Sequence, residues 1–173
     1  PHWMILFLTR LPFMIFALAA SFYVFKFAST LYGEKSGVFA VFLYVFSPNI
    51  VGYSTLATTD FLITVLILIA IYHYWRFLNS PTKLNMLFTG IAVGLAQGTK
   101  ITGLLLYPII ILIGIFDLYF KKRFAYKKLT IQIKSWILIF LIGFLIVMIL
   151  YGFQFKTFKS ALPGYYVNIS YQV

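Results

Sequence analysis

The fold of this chain can be read from residues 47–75, SPNIVGYSTLATTDFLITVLILIAIYHYW. After Asp60 the stretch contains no lysine, arginine, aspartate or glutamate. An α-helix needs about 20 mostly apolar residues to cross the hydrocarbon core of a membrane, and this run approaches that length. Asp60 lies at the start of the run, and a carboxylate beside lipid is costly. Its position therefore requires an explanation.

The composition indicates a membrane protein with several crossings. Hydrophobic residues make up 62% of the 173 residues and charged residues 10%, with a net charge of +11. Soluble domains have about 25% charged residues, so this chain has too few charged residues to cover the surface of a water-soluble domain. We predict an all-α transmembrane bundle. The cations lie between apolar runs, which excludes a basic nucleic-acid surface, and the absence of cysteine excludes disulfides.

Six transmembrane helices are predicted. Pro1 to Arg10 is interpreted as a lead-in, with Pro12 in the first turn of the first helix. Ser47-Pro48-Asn49 is expected to break or kink the second helix near its external end. The predicted helices are Leu11–Leu31, Gly37–Thr55, Asp60–Phe77, Leu84–Gln97, Ile101–Phe120 and Ser135–Phe155.

The distribution of lysine and arginine predicts the orientation. The connections after the first, third and fifth helices hold most of the cations, including KKRFAYKK at residues 121–128. Cytoplasmic loops carry an excess of lysine and arginine, so these connections are predicted to be cytoplasmic. Arg10, Asp60 and Lys100 then share the external membrane face.

Each of these three residues has a structural and a functional interpretation. Asp60 is predicted to be the N-cap of its helix, and equally it is a carboxylate able to orient a substrate. Lys100 and Arg10 either mark the membrane interface or bind an anion, and arginine can grip a phosphate with two parallel hydrogen bonds. Gly90, Gly94 and Gly98 recur every four residues, which predicts close packing against another helix.

The chain resembles the multi-pass glycosyltransferases of the dolichyl-phosphate-mannose–protein mannosyltransferase superfamily, which includes the lipid A aminoarabinose transferase. The similarity covers roughly residues 6–112. Its motifs are RLP at residues 10–12, YG at 32–33, SPN at 47–49, TTD at 58–60, and GLAQGTK at 94–100 before a helix containing Pro108. The segment after residue 150, YGFQF and LPGYY, is similar to the external segment after the sixth helix of some members.

The resemblance implies a C-type glycosyltransferase fold that takes a sugar from a polyprenyl-phosphate donor and transfers it to a protein, lipid or glycan acceptor. Residues 1–155 would form a transmembrane module that lacks the N-terminal helix and first external loop, and residues 156–173 would begin an external segment. The expected catalytic base would lie upstream of Pro1. Arg10 and Lys100 match phosphate contacts, and Asp60 would orient one of them or touch the sugar or acceptor.

The implied location is the plasma membrane of a bacterium or archaeon, with the active face outside and membrane lipid and the lipid-linked donor as partners. No cofactor is predicted beyond the donor. No metal site is predicted, since His2 and His73 are far apart, and His73 is expected to pack within the membrane or at its interface. A transporter or flippase, with the glycine-rich helix as a discontinuous ion site, and a structural membrane subunit are the alternatives.

Overall fold

The computed structural model describes residues 2–56, 58–121 and 126–152, which form helices and no strand. The all-α prediction is confirmed. The boundary predicted at residue 155 and the segment 156–173 lie outside the described residues. The elements are α1 His2–Tyr32, α2 Glu34–Val45, α3 Pro48–Thr55, α4 Thr59–Asn79, α5 Lys83–Thr99, a 3₁₀ helix Ile101–Leu105, α6 Leu106–Phe120 and α7 Tyr126–Leu150.

Four helical stretches in the described part are long and apolar enough to span a membrane. A fifth span results if α2 and α3, bent by 64° at their junction, are taken together. Helix α5 has 17 residues, at the short end of what a span needs. The predicted crossing by α5, the fourth of the six predicted helices, therefore stays a prediction. The four long spans are Phe7–Tyr32, Thr59–Asn79, Ile101–Phe120 and Leu129–Leu150.

Proline and threonine set the helix breaks around α4. Pro48 occupies the first turn of α3, where its missing N–H costs little, and the predicted break at Ser47-Pro48 is confirmed. Ser80 precedes Pro81 and is extended, with φ −136°, so α4 ends there. Thr82 then caps α5, because its hydroxyl accepts a hydrogen bond from the Asn85 N–H at 3.3 Å.

Two predicted helix starts are wrong. Helix α1 begins at His2 rather than Leu11, which places Pro12 inside the helix. Residues 2–10 contain no glycine or proline, and Pro12 removes only one intrahelical hydrogen bond, so the helix continues through both. Helix α7 begins at Tyr126 rather than Ser135, because helical turns rich in lysine and polar residues extend beyond the apolar run. The predicted end at Phe155 lies outside the described residues.

Helix α4 is the centre of the bundle, with Ala70 and Tyr74 fully buried and α1, α5 and α6 packed around it. Helix α5 runs antiparallel to α4. Lys100 forms an ion pair with Asp60 at one end of the bundle, which we call the Asp60 end. At the opposite end, the Asn79 end, the Lys121 amine donates to the Asn79 side-chain oxygen at 3.0 Å.

The glycine face of α5 packs against α7, as predicted. A Cβ added to Gly94 would lie 2.7 Å from both the Gly143 carbonyl oxygen and the Ile146 Cβ. A Cβ at Gly90 would lie 2.7 Å from the Ile142 Cβ. Small residues let the two backbones approach closely, which fixes the position of α5 and of Lys100 at its end.

Candidate functional site

Asp60 lies in the first turn of α4, and its predicted role as N-cap is wrong. The N-cap is Thr58, which forms no side-chain capping hydrogen bond. Helix formation already begins at Thr59, which leaves Asp60 inside the helix with its side chain free to turn outward. A carboxylate in the first turn still interacts favourably with the positive end of the helix dipole. The Thr58 hydroxyl is buried and has no hydrogen-bond partner among the described residues.

Lys100 joins α5 to the 3₁₀ helix in an extended conformation, with φ −154° and ψ 142°. Its N–H bonds to the Ala96 carbonyl at 3.1 Å, and its own carbonyl accepts from the Gly103 N–H at 2.8 Å. A Cβ at Gly103 would lie 2.6 Å from the Ala96 carbonyl carbon, so glycine is needed for this tight reversal. The reversal points the Lys100 side chain towards α4.

The side chains of Asp60 and Lys100 form an ion pair and remain accessible, with 66% and 41% of their surfaces exposed. An exposed pair contributes little to stability, typically about 0–1 kcal/mol. The lysine amine has three donors, so it can bind a second anion while held by the carboxylate. The pair therefore adds little to holding the bundle together, and it leaves lysine donors accessible.

A pocket of about 170 Å³ adjoins the pair and is formed by α3 and α4. Asn49, Tyr53, Asp60 and Thr64 line it together with Ile50 and Phe61, and most of the exposed wall is apolar. Asn49, Tyr53 and Thr64 were not predicted from the sequence as residues of this pocket. Asn49 and Tyr53 are four residues apart and share one face of α3, which was the available signal.

Arg10 lies at the same end of the bundle as Asp60 and is exposed. Phe13 and Ala20 of α1 belong to the cluster around Phe61 in the first turns of α4, and Arg10 lies about one turn before Phe13. In the described part of the chain, no hydrogen bond or ion pair joins Arg10 to Asp60 or Lys100. The structure thus pairs two of the three predicted residues and leaves the third nearby.

The other titratable residues that the structure describes do not gather into a metal site. The described residues contain no group of three or more histidine, cysteine, aspartate or glutamate side chains able to hold a metal. His73 is buried, as expected, and its ring nitrogens lie 3.0 Å from the Tyr23 hydroxyl oxygen and 3.2 Å from the Asn85 side-chain oxygen. These contacts tie α4 to α1 and α5.

The fold and this site define a helical membrane protein with an accessible ion pair beside a small, mostly apolar pocket at one end. The model of the dolichyl-phosphate-mannose-protein mannosyltransferase family matches residues 6–151, and the chain belongs to this family. The predicted resemblance is confirmed, and membership of the family identifies the chain as a membrane glycosyltransferase. No curated protein matched the chain, and no solved structure matched it.

Proposed function

We propose that this protein transfers a sugar from a polyprenyl-phosphate donor to a protein, lipid or glycan acceptor at the external membrane face. The accessible ion pair of Lys100 and Asp60, with a small pocket beside Asp60, carries the proposal. A phosphate at the membrane interface needs cationic donors, and Lys100 offers them at the end of a rigid helix. Membership of a family named for dolichyl-phosphate-linked mannose supports a lipid-linked donor.

The pocket is assigned to the sugar ring rather than to the lipid. Its volume of about 170 Å³ is small. Pockets for drug-sized ligands measure roughly 300–1,000 Å³, so this one suits a single small unit. The Asn49 amide and the Tyr53 hydroxyl are groups that hydrogen-bond sugar hydroxyls, and the apolar wall can pack on the face of the ring. The Thr64 hydroxyl donates to the Asp60 carbonyl at 2.8 Å and can only accept. Asp60 lies between this pocket and Lys100, where it can contact the sugar and orient the lysine.

The proposed chemistry is a displacement at the anomeric carbon with inversion. The acceptor oxygen or nitrogen forms a bond to this carbon while the bond to the phosphate oxygen breaks, and a base takes the acceptor proton. Lys100 and Arg10 stabilise the negative charge that builds on the departing phosphate. Asp60 is already paired with Lys100, so we assign it orientation rather than proton abstraction.

Transfer from a defined polyprenyl-phosphate sugar by the full-length enzyme tests the proposal. Lys100→Ala and Arg10→Ala should each lower transfer by about one to two decades, as expected for loss of a charge-assisted contact. Arg10→Lys should recover only part, because lysine lacks the bidentate geometry. Lys83→Ala is the matched control, since Lys83 is an exposed lysine at the opposite end of α5.

Thermal unfolding in detergent is measured on the same preparations. Wild-type transfer in both alanine variants would remove the proposed phosphate site. An equal loss in Lys83→Ala would show that the effect is one of general surface charge. Transport of a solute or lipid without any transfer product would favour the transporter alternative.

A further inference from the structure

Two cations at the Asn79 end have no role in the proposed reaction. Lys26 on α1 and Arg76 on α4 are both exposed. Sixteen residues separate Arg10 from Lys26 and Asp60 from Arg76. At 1.5 Å per residue this is about 24 Å, close to the thickness of the hydrocarbon core, about 30 Å. Lys26 and Arg76 therefore lie near the membrane border opposite the proposed active site.

The Lys26 amine points back along α1 rather than towards the nearer helix end. It lies 4.7 Å from the centroid of the Phe22 ring, one helical turn closer to the membrane interior. Among the described residues, Lys26 forms no ion pair with a carboxylate. Placing a charged lysine near the hydrocarbon without a counterion costs free energy. The anionic head group of a lipid would provide the counterion for Lys26.

Phe22 also lines an open groove between α1 and α2. The groove has a volume of about 340 Å³. Its wall is apolar apart from one hydroxyl and consists of Ser21, Phe22, Phe25, Val38 and Val41. An apolar groove open to the membrane with a cation at its edge matches a lipid that has an acyl chain and an anionic head group.

Arg76 lies beside the seam between α1 and α4. Its guanidinium donates to the Tyr72 hydroxyl at 3.4 Å. The Tyr72 ring packs edge-to-face on Tyr23 and Phe27 of α1, with centroids 5.3 and 5.7 Å apart. The Phe27 ring, next to Lys26 in the chain, and the Trp75 ring, next to Arg76, have centroids 5.6 Å apart, which places the two cations at the same level of this seam. Arg76 keeps further donors available for a phosphate.

We infer that Lys26 and Arg76 bind the phosphate of an anionic phospholipid in the leaflet at the Asn79 end, with one acyl chain in the groove between α1 and α2. Charge complementarity selects this occupant over a zwitterionic lipid. In the proposed orientation this leaflet is the cytoplasmic one, where anionic lipids and basic residues meet. The site is separate from the proposed donor site, and it does not depend on the transfer reaction.

Native mass spectrometry of the full chain tests the inference, with dioleoylphosphatidylglycerol and dioleoylphosphatidylcholine titrated separately. The wild type should bind the anionic lipid more tightly. Lys26→Gln and Arg76→Gln should each weaken that binding about fivefold, since one basic residue near the surface contributes that factor. Val38→Trp should weaken it as well by filling the groove. Lys35→Gln is the control, because Lys35 is an exposed lysine near the same end and does not line the groove.

The unfolding temperature of each variant in phosphatidylcholine shows whether it folds. Lys26→Arg is the second variant at this position, because it keeps the positive charge and can be tested if Lys26→Gln does not fold. Tight binding in Lys26→Arg together with weak binding in Lys26→Gln or Arg76→Gln supports the site. Equal affinity of the wild type for both lipids overturns it. A similar loss in Lys35→Gln also overturns it, because the lipid would then respond to total charge. Unchanged binding in Val38→Trp removes the groove from the proposal.

Discussion

At the residue scale, the Asp60 carboxylate interacts with two positive groups. One is the positive end of the α4 helix dipole, since Asp60 lies in the first turn, and the other is the Lys100 amine at the end of the neighbouring helix α5. Neither interaction buries the carboxylate, which is 66% exposed. The cost of placing a charge at the membrane border is therefore reduced without loss of access to the pocket.

Asp60→Asn separates these roles. The free energy of unfolding should fall by less than about 1 kcal/mol, because an exposed pair and a surface dipole interaction are each worth little. Transfer should fall clearly, because Lys100 loses the partner that orients it. Unfolding in detergent and transfer from the lipid-linked donor measure the two effects. Undiminished transfer in Asp60→Asn would reduce Asp60 to a stabiliser of the helix end.

The sequence predicted the site only in part, for a physical reason. Helix parity placed Arg10, Asp60 and Lys100 on one face, because each crossing reverses the chain. The contact between Asp60 and Lys100 depends on the register of two helices, which their local sequences do not encode. Asn49 and Tyr53 were missed because single polar residues at helix ends are usual near the membrane interface.

At the element scale, the close approach of α5 and α7 depends on glycine. Gly94→Leu should destabilise the protein, because even its Cβ would lie 2.7 Å from backbone and side-chain atoms of α7. Overpacking costs typically 1–3 kcal/mol. Gly52→Leu is the matched control in a helix, since a Cβ there meets nothing within 4 Å. Equal yields and unfolding temperatures for the two variants would contradict this packing.

A buried hydroxyl ties α4 to α7 near the Asn79 end. The Tyr74 hydroxyl accepts from the Gln132 amide at 2.6 Å and from the Trp136 indole N–H at 2.8 Å. Tyr74→Phe would leave both donors without this acceptor, and a buried unsatisfied group costs about 1–3 kcal/mol. The unfolding temperature should fall more than in Tyr119→Phe, where the tyrosine is exposed. A similar small change in both would mean that water or lipid replaces the hydroxyl.

The helices themselves were largely predictable, and their ends were not. Apolar runs gave α4, α5 and the stretch Ile101–Phe120 to within two residues, since polar or charged residues bound these runs. The same criterion placed the start of α7 nine residues late, at Ser135 instead of Tyr126. Hydropathy marks the part of a helix inside the hydrocarbon, whereas backbone hydrogen bonding continues into the polar interface.

At the scale of the whole molecule, the two ends of the bundle differ in charge. The Asp60 end carries Arg10 and the paired Lys100 in the described part of the chain. Helix packing gathers more cations towards the other end, where the described residues include Lys26, Lys35, Arg76, Lys83 and Lys121. Lysine and arginine accumulate on the cytoplasmic side of membrane proteins. This asymmetry supports an external Asp60 end.

Cysteine labelling tests the orientation directly, because the chain has no cysteine of its own. Ile101→Cys and Ser80→Cys leave the net charge unchanged and occupy exposed positions at the Asp60 and Asn79 ends. In intact cells a membrane-impermeant maleimide should label Ile101→Cys only, and Ser80→Cys should react after permeabilisation. Arg123→Cys, outside the described residues, should behave like Ser80→Cys. Labelling of Ser80→Cys in intact cells would show that the orientation is the opposite one. The ion pair and the proposed transfer would then lie on the cytoplasmic side.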